Sequence, residues 1–407
     1  MMEENQLYIP EGWEGKELGS LYLEKRKSKF KVSDATNYGG IPFYTSGDAI
    51  LEHNEIQTDG ENIFLATGGI ANVKFYNGKV AYSTDTYAIV GKENIDTQFL
   101  YFKILDQLYY INTNYFQGSG LKHLQKKDFR KHLFVMPKTK GEQQSIANII
   151  AKTEQAIAQT ETLIAKYSRI KTGLMQDLLT KGIDENGNIR SEQTHEFKDS
   201  PLGRIPKEWE VKKLDECINK NTTITYGIVQ TFEHIEDGVP VLRTIDLKEN
   251  GINSVENLLR TKKSISDKYR RTLLLENDIV CNVRASVGDF NIVSAEYVNC
   301  NTTRGVARIC PSSDVVNKYL VWFLKSYKNE KQMELLIKGT TFIDINIGDL
   351  RKIWVLLPSK TEQELIADKL DKIQSSFHVY QTELSKLQSL KTGLMQDLLT
   401  GKVRVKI

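Results

Sequence analysis

The side chains best suited to hydrolytic chemistry are Asp237, Asp246 and Lys248, because an Asp…Asp-x-Lys pattern is typical of nuclease sites that hold Mg²⁺. The pattern is weak, since 26% of the residues are charged and such spacings arise by chance. The sequence contains no phosphate-binding Gly-x-x-x-x-Gly-Lys-Ser/Thr loop, no Gly-x-Gly-x-x-Gly turn, no His-Glu-x-x-His zinc motif and no Gly-x-Ser-x-Gly nucleophile turn. We therefore expect no catalytic residue and no metal site, with a self-contained Mg²⁺-dependent nuclease as the alternative.

A second set of residues is suited to reading nucleic-acid bases. Arg can pair bidentately with guanine and Asn or Gln with adenine, while Ser and Thr are more permissive. Such side chains alternate with aromatic residues in short strand-like runs, and ordinary polarity of a strand face is the alternative interpretation. The candidates are Tyr44, Thr45, Ser46, Thr67, Asn72, Lys74, Thr84 and Tyr87 in the first half, and Arg243, Thr244, Asn282, Arg284, Ser286, Thr302, Thr303 and Arg304 in the second.

Charge gives only local support for a polyanionic partner. The net charge is +3, and residues 1–130 are slightly acidic. Any phosphate-binding surface must therefore come from clusters of basic residues, with a solvated lysine-rich face as the alternative for each. These clusters are Lys25-Arg26-Lys27 with Lys29 and Lys31, Lys262-Lys263, and Lys268 with Arg270-Arg271.

Composition predicts a cytoplasmic protein that does not enter membranes. Hydrophobic content of 40% is typical of globular proteins, and no apolar run reaches the roughly 18 residues of a membrane span. The polar start Met1–Gln6 does not look like a signal peptide. Four cysteines without a Cys-x-x-Cys pair indicate reduced thiols rather than a disulfide framework.

The elements that position these residues are duplicated. The decapeptide Lys-Thr-Gly-Leu-Met-Gln-Asp-Leu-Leu-Thr occurs at Lys171–Thr180 and again, 220 positions later, at Lys391–Thr400. Upstream, Glu142-Gln143 matches Glu362-Gln363 at the same offset. Composition bias does not produce such an identity, so the chain is a tandem repeat.

Each decapeptide ends a long, proline-free segment of five heptads with apolar residues about every 3.5 positions, which is typical of a coiled-coil seam. The predicted seam includes Ile170 in the first copy and Leu390 in the second. The segment from Glu142 to Thr180 would measure roughly 58 Å as a helix. We predict that the two helices pair antiparallel; the alternative is that each packs on its own globular domain. Glycine costs about 1 kcal/mol inside a helix, so its presence in both copies suggests close approach of another backbone, such as that of a partner protein; the alternative is that the first helix frays there. The candidate partner-binding residues are Gly173, Leu174, Met175 and Leu178, with Gly393, Leu394, Met395 and Leu398.

The marker residues also show where the halves differ. The interval from Pro240 to Ile279 is about 18 residues longer than that from Pro42 to Ile63, which predicts a charged insertion within Asn250–Arg271. The predicted fold is mixed α/β, a pseudo-twofold tandem repeat of two recognition domains, each followed by a long helix. The boundaries are 1–140 for the first domain, 141–182 for the first helix, 183–204 for a linker, 205–360 for the second domain, 361–400 for the second helix and 401–407 for the tail.

Several of these motifs resemble one known family over essentially the whole chain. They are the twin Leu-Met-Gln-Asp-Leu-Leu-Thr helix ends, the helix starts at Pro137–Ala147 and Pro358–Ala367, the Ser200–Trp209 start of the second half, Ile41–Gly47 and Gly118-Ser-Gly120. Together they resemble the specificity subunit of type I restriction–modification systems.

The resemblance implies two target-recognition domains, separated by an antiparallel coiled coil that sets the spacing of a bipartite, asymmetric double-stranded DNA site. It implies no catalytic site and no cofactor bound by this chain. The implied partners are two DNA adenine methyltransferase subunits, which use S-adenosylmethionine, and restriction subunits that translocate DNA with ATP and Mg²⁺. A coiled-coil scaffold that does not bind DNA is a third reading of the same pattern.

Overall fold

The computed structural model describes residues 9–231, 233–248, 251–337, 339 and 343–405. Met1–Gln6 and Asn250, on which two of the sequence predictions rest, lie outside this range. The chain forms two compact units, which do not coincide with its two halves: the first comprises Met1–Thr162 with Gln381–Ile407, and the second comprises Leu163–Tyr380.

The first unit contains eleven described strands and three short helices. The strands are β1 Trp13–Glu17, β2 Tyr22–Glu24, β3 Ile41–Tyr44, β4 Leu51–His53, β5 Glu61–Ala66, β6 Val73–Asn77, β7 Ala81–Tyr82, β8 Thr86–Gly91, β9 Phe116–Gln117, β10 His123–Leu124 and β11 Leu133–Pro137, and the helices are α1 Thr97–Asp106, α2 Leu108–Tyr115 and α3 Lys126–Arg130. One sheet has four strands in the order β2-β8-β5-β6 and a second has three in the order β4-β3-β7, while β1 pairs with β11 and β9 with β10.

Strand β5 is buried on both faces because its apolar run is continuous. Side chains alternate along a strand, so Ile63 and Leu65 join the core beneath α1, while Phe64 packs on the other side with Tyr44 and Tyr82. Tyr44 and Phe64 stack with ring centroids 4.5 Å apart. The four-stranded sheet therefore separates two hydrophobic cores, one packed against each of its faces.

The second unit repeats this topology. Its strands are β12 Phe197–Lys198, β13 Ile205–Pro206, β14 Glu210–Lys213, β15 Thr225–Tyr226, β16 Val239–Leu242, β17 Leu247–Lys248, β18 Gly251–Ile252, β19 Leu259–Thr261, β20 Ile279–Asn282, β21 Phe290–Ile292, β22 Asn301–Thr302, β23 Val306–Ile309 and β24 Trp354–Leu357. Its short helices are α5 Lys263–Ser266, α6 Asn317–Leu324, α7 Tyr327–Leu336 and α8 Ile347–Leu350. The four-stranded sheet has the order β15-β23-β20-β21 and the three-stranded sheet the order β19-β16-β22, while β14 pairs with β24, β12 with β13 and β17 with β18.

The extra residues of the second half occupy two places rather than one. The β17–β18 hairpin lies between β16 and β19, and α5 with a following 3₁₀ turn lies between β19 and β20. The predicted single insertion within Asn250–Arg271 is corrected accordingly. Both additions flank β19, which keeps its antiparallel pairing with β16, so the shared frame is undisturbed.

The long helices are α4, Lys140–Leu178, and α9, Lys360–Leu398. Within the second unit they run antiparallel: the Tyr167 and Tyr380 rings lie 5.0 Å apart, and Lys171 Nζ donates to Gln374 Oε1 over 3.3 Å. Within the first unit, Lys391 Nζ lies 2.7 Å from Glu154 Oε1.

The heptad assignment is wrong at one position in each helix. Ile170 and Leu390, which it placed in the seam, are 37% and 51% exposed. Lys171 and Lys391 take the inward position instead, because a straight helix of 3.6 residues per turn drifts from a strict seven-residue repeat. The aliphatic part of Lys171 spans the seam, and its ammonium lies 5.2 Å from the Phe377 ring centroid.

Each unit also contains a buried glutamate at the start of a long helix, bound by a tryptophan and an arginine. In the second unit Glu362 accepts from Trp209 Nε1 over 3.2 Å and from Arg190 over 2.5 and 3.2 Å. Arg190 belongs to the predicted linker 183–204, which is therefore folded onto the second unit rather than an open tether.

In the first unit the same arrangement uses the C-terminal tail. Glu142 accepts from Trp13 Nε1 over 3.2 Å and from Arg404 over 2.7 and 2.9 Å. The glycine that follows each decapeptide, Gly182 or Gly401, has a φ of +66° or +73° and lies against the tryptophan. A side chain at either position would be strained and would collide with the cluster.

Lys103 gives a prediction for the pH dependence of stability. Its Nζ is buried and donates to the Leu399 carbonyl over 2.9 Å, and burial lowers its pKa from 10.5 to about 8. Between these values the unfolded chain binds more protons, so the free energy of unfolding contributed by Lys103 rises with pH; the contribution is complete above 10.5 and is lost as pH falls through 8. We expect the stability of the wild type relative to Lys103→Met to increase by about 2 kcal/mol between pH 7 and 9.5, measured by urea unfolding. A constant difference would contradict the assignment.

Candidate nucleic-acid interface

In the first unit, the loops at one end of the two sheets converge. The loop after β3 meets the loops after β5 and β7: the Asp85 carbonyl accepts from Thr67 Oγ1 over 2.7 Å and from Ser46 Oγ. The segment between β9 and β10 joins them, since Gly69 N donates to Lys122 O over 2.8 Å and Leu124 N donates to Thr67 O over 3.0 Å. Four stretches distant in sequence therefore form one surface, held by backbone and side-chain hydrogen bonds.

Several predicted polar residues meet on this surface. Asn72 Nδ2 donates to the Asp48 carboxylate, and Lys74 Nζ donates to the carbonyls of Thr45 and Gly47. Burial lowers the pKa of Lys74, opposed by the nearby carboxylates of Asp48 and Asp85. Thr84 is exposed at the adjacent loop. The surface thus combines amide, hydroxyl and ammonium groups in fixed positions.

A basic strip borders this surface. The backbone of residues 25–31 runs alongside it, because Thr84 N donates to Phe30 O over 2.7 Å and Lys25 N donates to Ala88 O over 2.9 Å. Lys126, from α3, adds a cation 3.8 Å from the Tyr87 ring centroid. The lysine-rich run found in the sequence therefore lies beside the converging loops, although the unit as a whole is not basic.

The second unit forms the corresponding surface with different residues. The loop after β15 binds the end of β22 and the loop that follows it, as Ile228 N donates to Thr302 O over 2.7 Å and Arg304 N donates to Ile228 O over 2.8 Å. Asn282 Nδ2 ties β20 to the loop after β16 through the Thr244 carbonyl, 3.1 Å away. Arg284, Ser286 and Arg304 are exposed on these loops, and Thr244 and Thr303 are partly exposed.

Arg243 is held by Asp246. The guanidinium donates from Nε to Oδ2 over 2.9 Å and from Nη2 to Oδ1 over 3.2 Å, and the Arg243 backbone N also donates to Oδ2 over 3.0 Å. Asp246 is 1% exposed, whereas the Arg243 side chain is 34% exposed. Arg243 is therefore partly exposed while it is held by a buried carboxylate.

Five of the predicted base-contacting residues are buried, which corrects their assignment as surface contacts. Neighbouring strand residues face opposite sides, so a run of polar and aromatic residues cannot present every side chain. Tyr44 stacks on Phe64, Tyr87 bonds the Tyr22 hydroxyl over 2.9 Å, and Asn282 ties loops together. These side chains shape the surface from beneath; the full set is Tyr44, Thr45, Tyr87, Asn282 and Thr302.

The nuclease interpretation gains no support from the geometry. The two oxygens of Asp246 already accept from Arg243 and from Asn253 Nδ2, which leaves no room for a metal ion. Within the described part of the chain, no group of three or more His, Cys, Asp or Glu side chains is arranged to hold a metal. No helix among the described residues is both long and apolar enough to cross a membrane.

The repeated decapeptide divides into a buried and an exposed face. Leu178 and Leu398 are buried in the cores of their units, so their assignment as partner contacts is corrected. Leu174, Met175, Leu394 and Met395 are partly buried against the same cores. The threonine and the glutamine are exposed in both copies, as Thr172 and Gln176 and as Thr392 and Gln396, while Gly173 is exposed and Gly393 is partly exposed.

Sequence reasoning missed Asp48, the organising role of Asp246, which it named only as a nuclease candidate, and the arginines that bind the helix starts. Asp48 and Asp246 each stand six residues after a proline of the repeat, Pro42 or Pro240, and that shared spacing could have identified them. Arg190 and Arg404 follow a decapeptide and its glycine, but five residues, Asp184–Asn188, interrupt the match in the first copy.

Fold and surfaces together define a class of protein: a duplicated binding protein in which one α/β frame presents two loop surfaces with different side chains. A family model of the type I restriction modification DNA specificity domain matches residues 10–167 and again residues 206–389. The chain belongs to this family.

The similarity to individual relatives extends over nearly the full length of this chain. The chain is 26% identical to the specificity subunit of the type I restriction enzyme MjaVIII of Methanocaldococcus jannaschii, over 99% of this chain and 96% of the relative. It is 24% identical to the EcoDI specificity subunit of Escherichia coli, over 97% and 89%. The fold is shared with the crystal structure of a type I restriction–modification S subunit from M. genitalium, with a TM-score of 0.67 and 15% identity over 100% and 99% of the chains.

Proposed function

We propose that the protein is the non-catalytic DNA-recognition subunit of a type I restriction–modification complex and that its two loop surfaces read the two halves of a bipartite, asymmetric site. The observation that carries this proposal is the pair of equivalent surfaces on one repeated frame. Where the first unit presents Asn72, Lys74 and Thr84, the second presents Arg243, Arg284 and Arg304. Different donor patterns on the same scaffold suit two different base sequences.

Base contacts come from the exposed side chains of these loops, and phosphate contacts come from the basic residues around them. In the first unit the flanking cations belong to residues 25–31 and to Lys126. In the second unit the added segment around α5 contributes Lys262, Lys263, Lys268, Arg270 and Arg271, all of them exposed. This segment packs against β22, because Asn301 Nδ2 donates to Ser266 Oγ over 3.0 Å.

The long helices then fix the spacing between the half-sites. We propose that α4 and α9 form a continuous antiparallel coiled coil related by a pseudo-twofold axis. The antiparallel contacts found within the second unit support this arrangement, as does the equal length of the helices, 39 residues each. A rigid spacer of this kind would leave the intervening bases unread. The unpaired cysteines, whose burial raises the pKa of Cys217 and Cys281 to about 12, suit a reducing cytoplasm.

Partner subunits supply the chemistry. Two methyltransferase subunits that use S-adenosylmethionine would bind the duplicated decapeptides, one at each copy, and restriction subunits that use ATP and Mg²⁺ would join for cleavage. The identical residues around Gly173 and Gly393, of which the threonine and the glutamine are exposed in both copies, support one kind of partner binding twice.

Alanine at the two glycines separates folding from assembly. A Cβ at Gly173 or Gly393 would meet no atom within 4 Å, so Gly173→Ala and Gly393→Ala should each stabilise the isolated chain by up to about 1 kcal/mol. If a partner backbone packs there, the same variants should bind the methyltransferase subunit more weakly in titration calorimetry. Ser389→Ala, at an exposed position of α9 outside the decapeptide, is the matched control. Wild-type affinity in both glycine variants would refute the contact.

The proposal as a whole is tested by co-expressing the chain with a type I methyltransferase subunit from the same organism and mapping the modified adenines by single-molecule sequencing. We expect one motif made of two unlike half-sites with an unspecified spacer. A palindromic motif would contradict two different readers, and methylation without sequence preference would contradict the recognition role.

A further inference from the structure

The Asp246 carboxylate is buried, and burying a charged carboxylate without hydrogen-bond donors would be unfavourable. Donors from neighbouring residues compensate for this burial. Asp246 is 1% exposed and accepts from the backbone and guanidinium of Arg243 and from Asn253 Nδ2, 3.2 Å away. Asn253 N also donates to the Asp246 carbonyl over 2.8 Å. The carboxylate is therefore fixed by the protein, and its position determines that of Arg243.

The geometry leaves one edge of the Arg243 guanidinium available. Nε and Nη2 each donate to one Asp246 oxygen, so the carboxylate occupies the Nε–Nη2 edge of the planar group. Nη1 and the second hydrogen of Nη2 have no partner in the described part of the chain, and they form the opposite donor pair. Hydrogen bonding to Asp246 raises the pKa of Arg243, so this edge remains cationic.

We infer that Arg243 reads a guanine in the second half-site by donating from Nη1 and Nη2 to guanine O6 and N7, and that Asp246 is the residue that positions it. The inference rests on the proposed function of the second surface. Two parallel donors matched to O6 and N7 select guanine among the bases of the major groove. Because the ion pair already restricts the long side chain, less conformational freedom is lost on binding.

The first unit supports a positioning role for this aspartate. Asp48 occupies the equivalent place, six residues after Pro42 as Asp246 is after Pro240. There the carboxylate holds the side-chain amide of Asn72 rather than a guanidinium. The carboxylate thus belongs to the repeated frame, while the donor that it orients differs between the two surfaces.

The test uses the complete complex of this chain with its methyltransferase subunit. Methylation motifs are mapped for the wild type, Arg243→Lys, Arg243→Ala and Asp246→Asn, with Arg169→Lys, at an exposed position of α4, as a control cation. We expect Arg243→Lys and Arg243→Ala to lower the preference for guanine at one position of the second half-site by roughly 5- to 150-fold. Asp246→Asn should relax the same position, and the first half-site should keep its sequence in every variant.

A base analogue checks the contact directly. 7-Deazaguanine lacks N7, so placing it at that position should weaken DNA binding by the wild type. In Arg243→Ala, which has already lost the contact with N7, the same replacement should not weaken DNA binding further. A second half-site without guanine, an unchanged motif in Arg243→Ala, or a wild type insensitive to 7-deazaguanine at every guanine would each overturn the inference. So would weakening that is uniform across sequences with a reduced salt dependence, which identifies a phosphate contact. If a variant is too unstable to support methylation, the inference is decided by the effect of 7-deazaguanine on DNA binding by the wild type. If the wild type shows no bipartite motif at all, the proposed function itself fails.

Discussion

Replacing Arg190 by alanine is expected to destabilise the second unit by about 3–5 kcal/mol, because it leaves a buried carboxylate without its cation. Arg190 and Glu362 are only 10% and 9% exposed at their side chains, and they are joined by two hydrogen bonds. After the substitution, Glu362 would keep only Trp209 Nε1 and the backbone N of Ile183 as donors. Urea unfolding of the full chain, followed by tryptophan fluorescence, measures the loss.

The first unit supplies the matched control. Arg404 makes the same bidentate contact with Glu142, but its side chain is 41% exposed. Water can therefore replace part of the lost interaction, and Arg404→Ala should cost clearly less than Arg190→Ala. Equal losses for the two variants would show that burial of the pair does not determine its contribution.

Replacing Gly227 by alanine is expected to abolish recognition of the second half-site while leaving the first intact. A Cβ at Gly227 would lie 1.9 Å from the Thr302 carbonyl oxygen and 2.5 Å from its Oγ1. Backbone atoms cannot give way as a flexible side chain can, so the loop after β15 must separate from β22. We expect a cost of about 3 kcal/mol, the upper range for overpacking, and loss of the surface that carries Thr303 and Arg304.

Methylation mapping and thermal unfolding together check this prediction. Gly120→Ala is the control, because Gly120 has no positive φ and its Cβ would meet nothing within 4 Å. A Gly227→Ala chain that modifies the full wild-type motif would show that the contact between these loops is not needed for recognition.

The repeat and the long helices could be predicted from sequence because they follow from identity and periodicity. Helix α4 spans Lys140–Leu178 where 141–182 was predicted, and α9 spans Lys360–Leu398 where 361–400 was predicted. The predicted seam is wrong at Ile170 and Leu390, because the drift of a straight helix from a seven-residue repeat accumulates over many turns and moves Lys171 and Lys391 inward.

The candidate interface was predictable in its location and less so in its individual residues. The polar strings fall on loops that meet because the strand order of the sheets brings them together. Within a string, burial depends on where the strand ends: Tyr44, the last residue of β3, is buried, whereas Ser46, in the loop that follows, is partly exposed. The role of Glu362 depends on Trp209 and Arg190, which are more than 150 positions away in the sequence, so local spacing carries no signal of it.

The central claim is that each unit reads its own half of one DNA site. It is tested most directly by comparing the methylation motifs of the wild type, Asn72→Ala and Arg284→Ala in complex with the methyltransferase subunit. Asn72 lies on the loops of the first unit and Arg284 on those of the second. We predict that each variant relaxes bases in one half-site only, that the two variants affect different halves, and that the spacer length stays constant. Changes in the same half from both variants, or no change from either, would contradict the account.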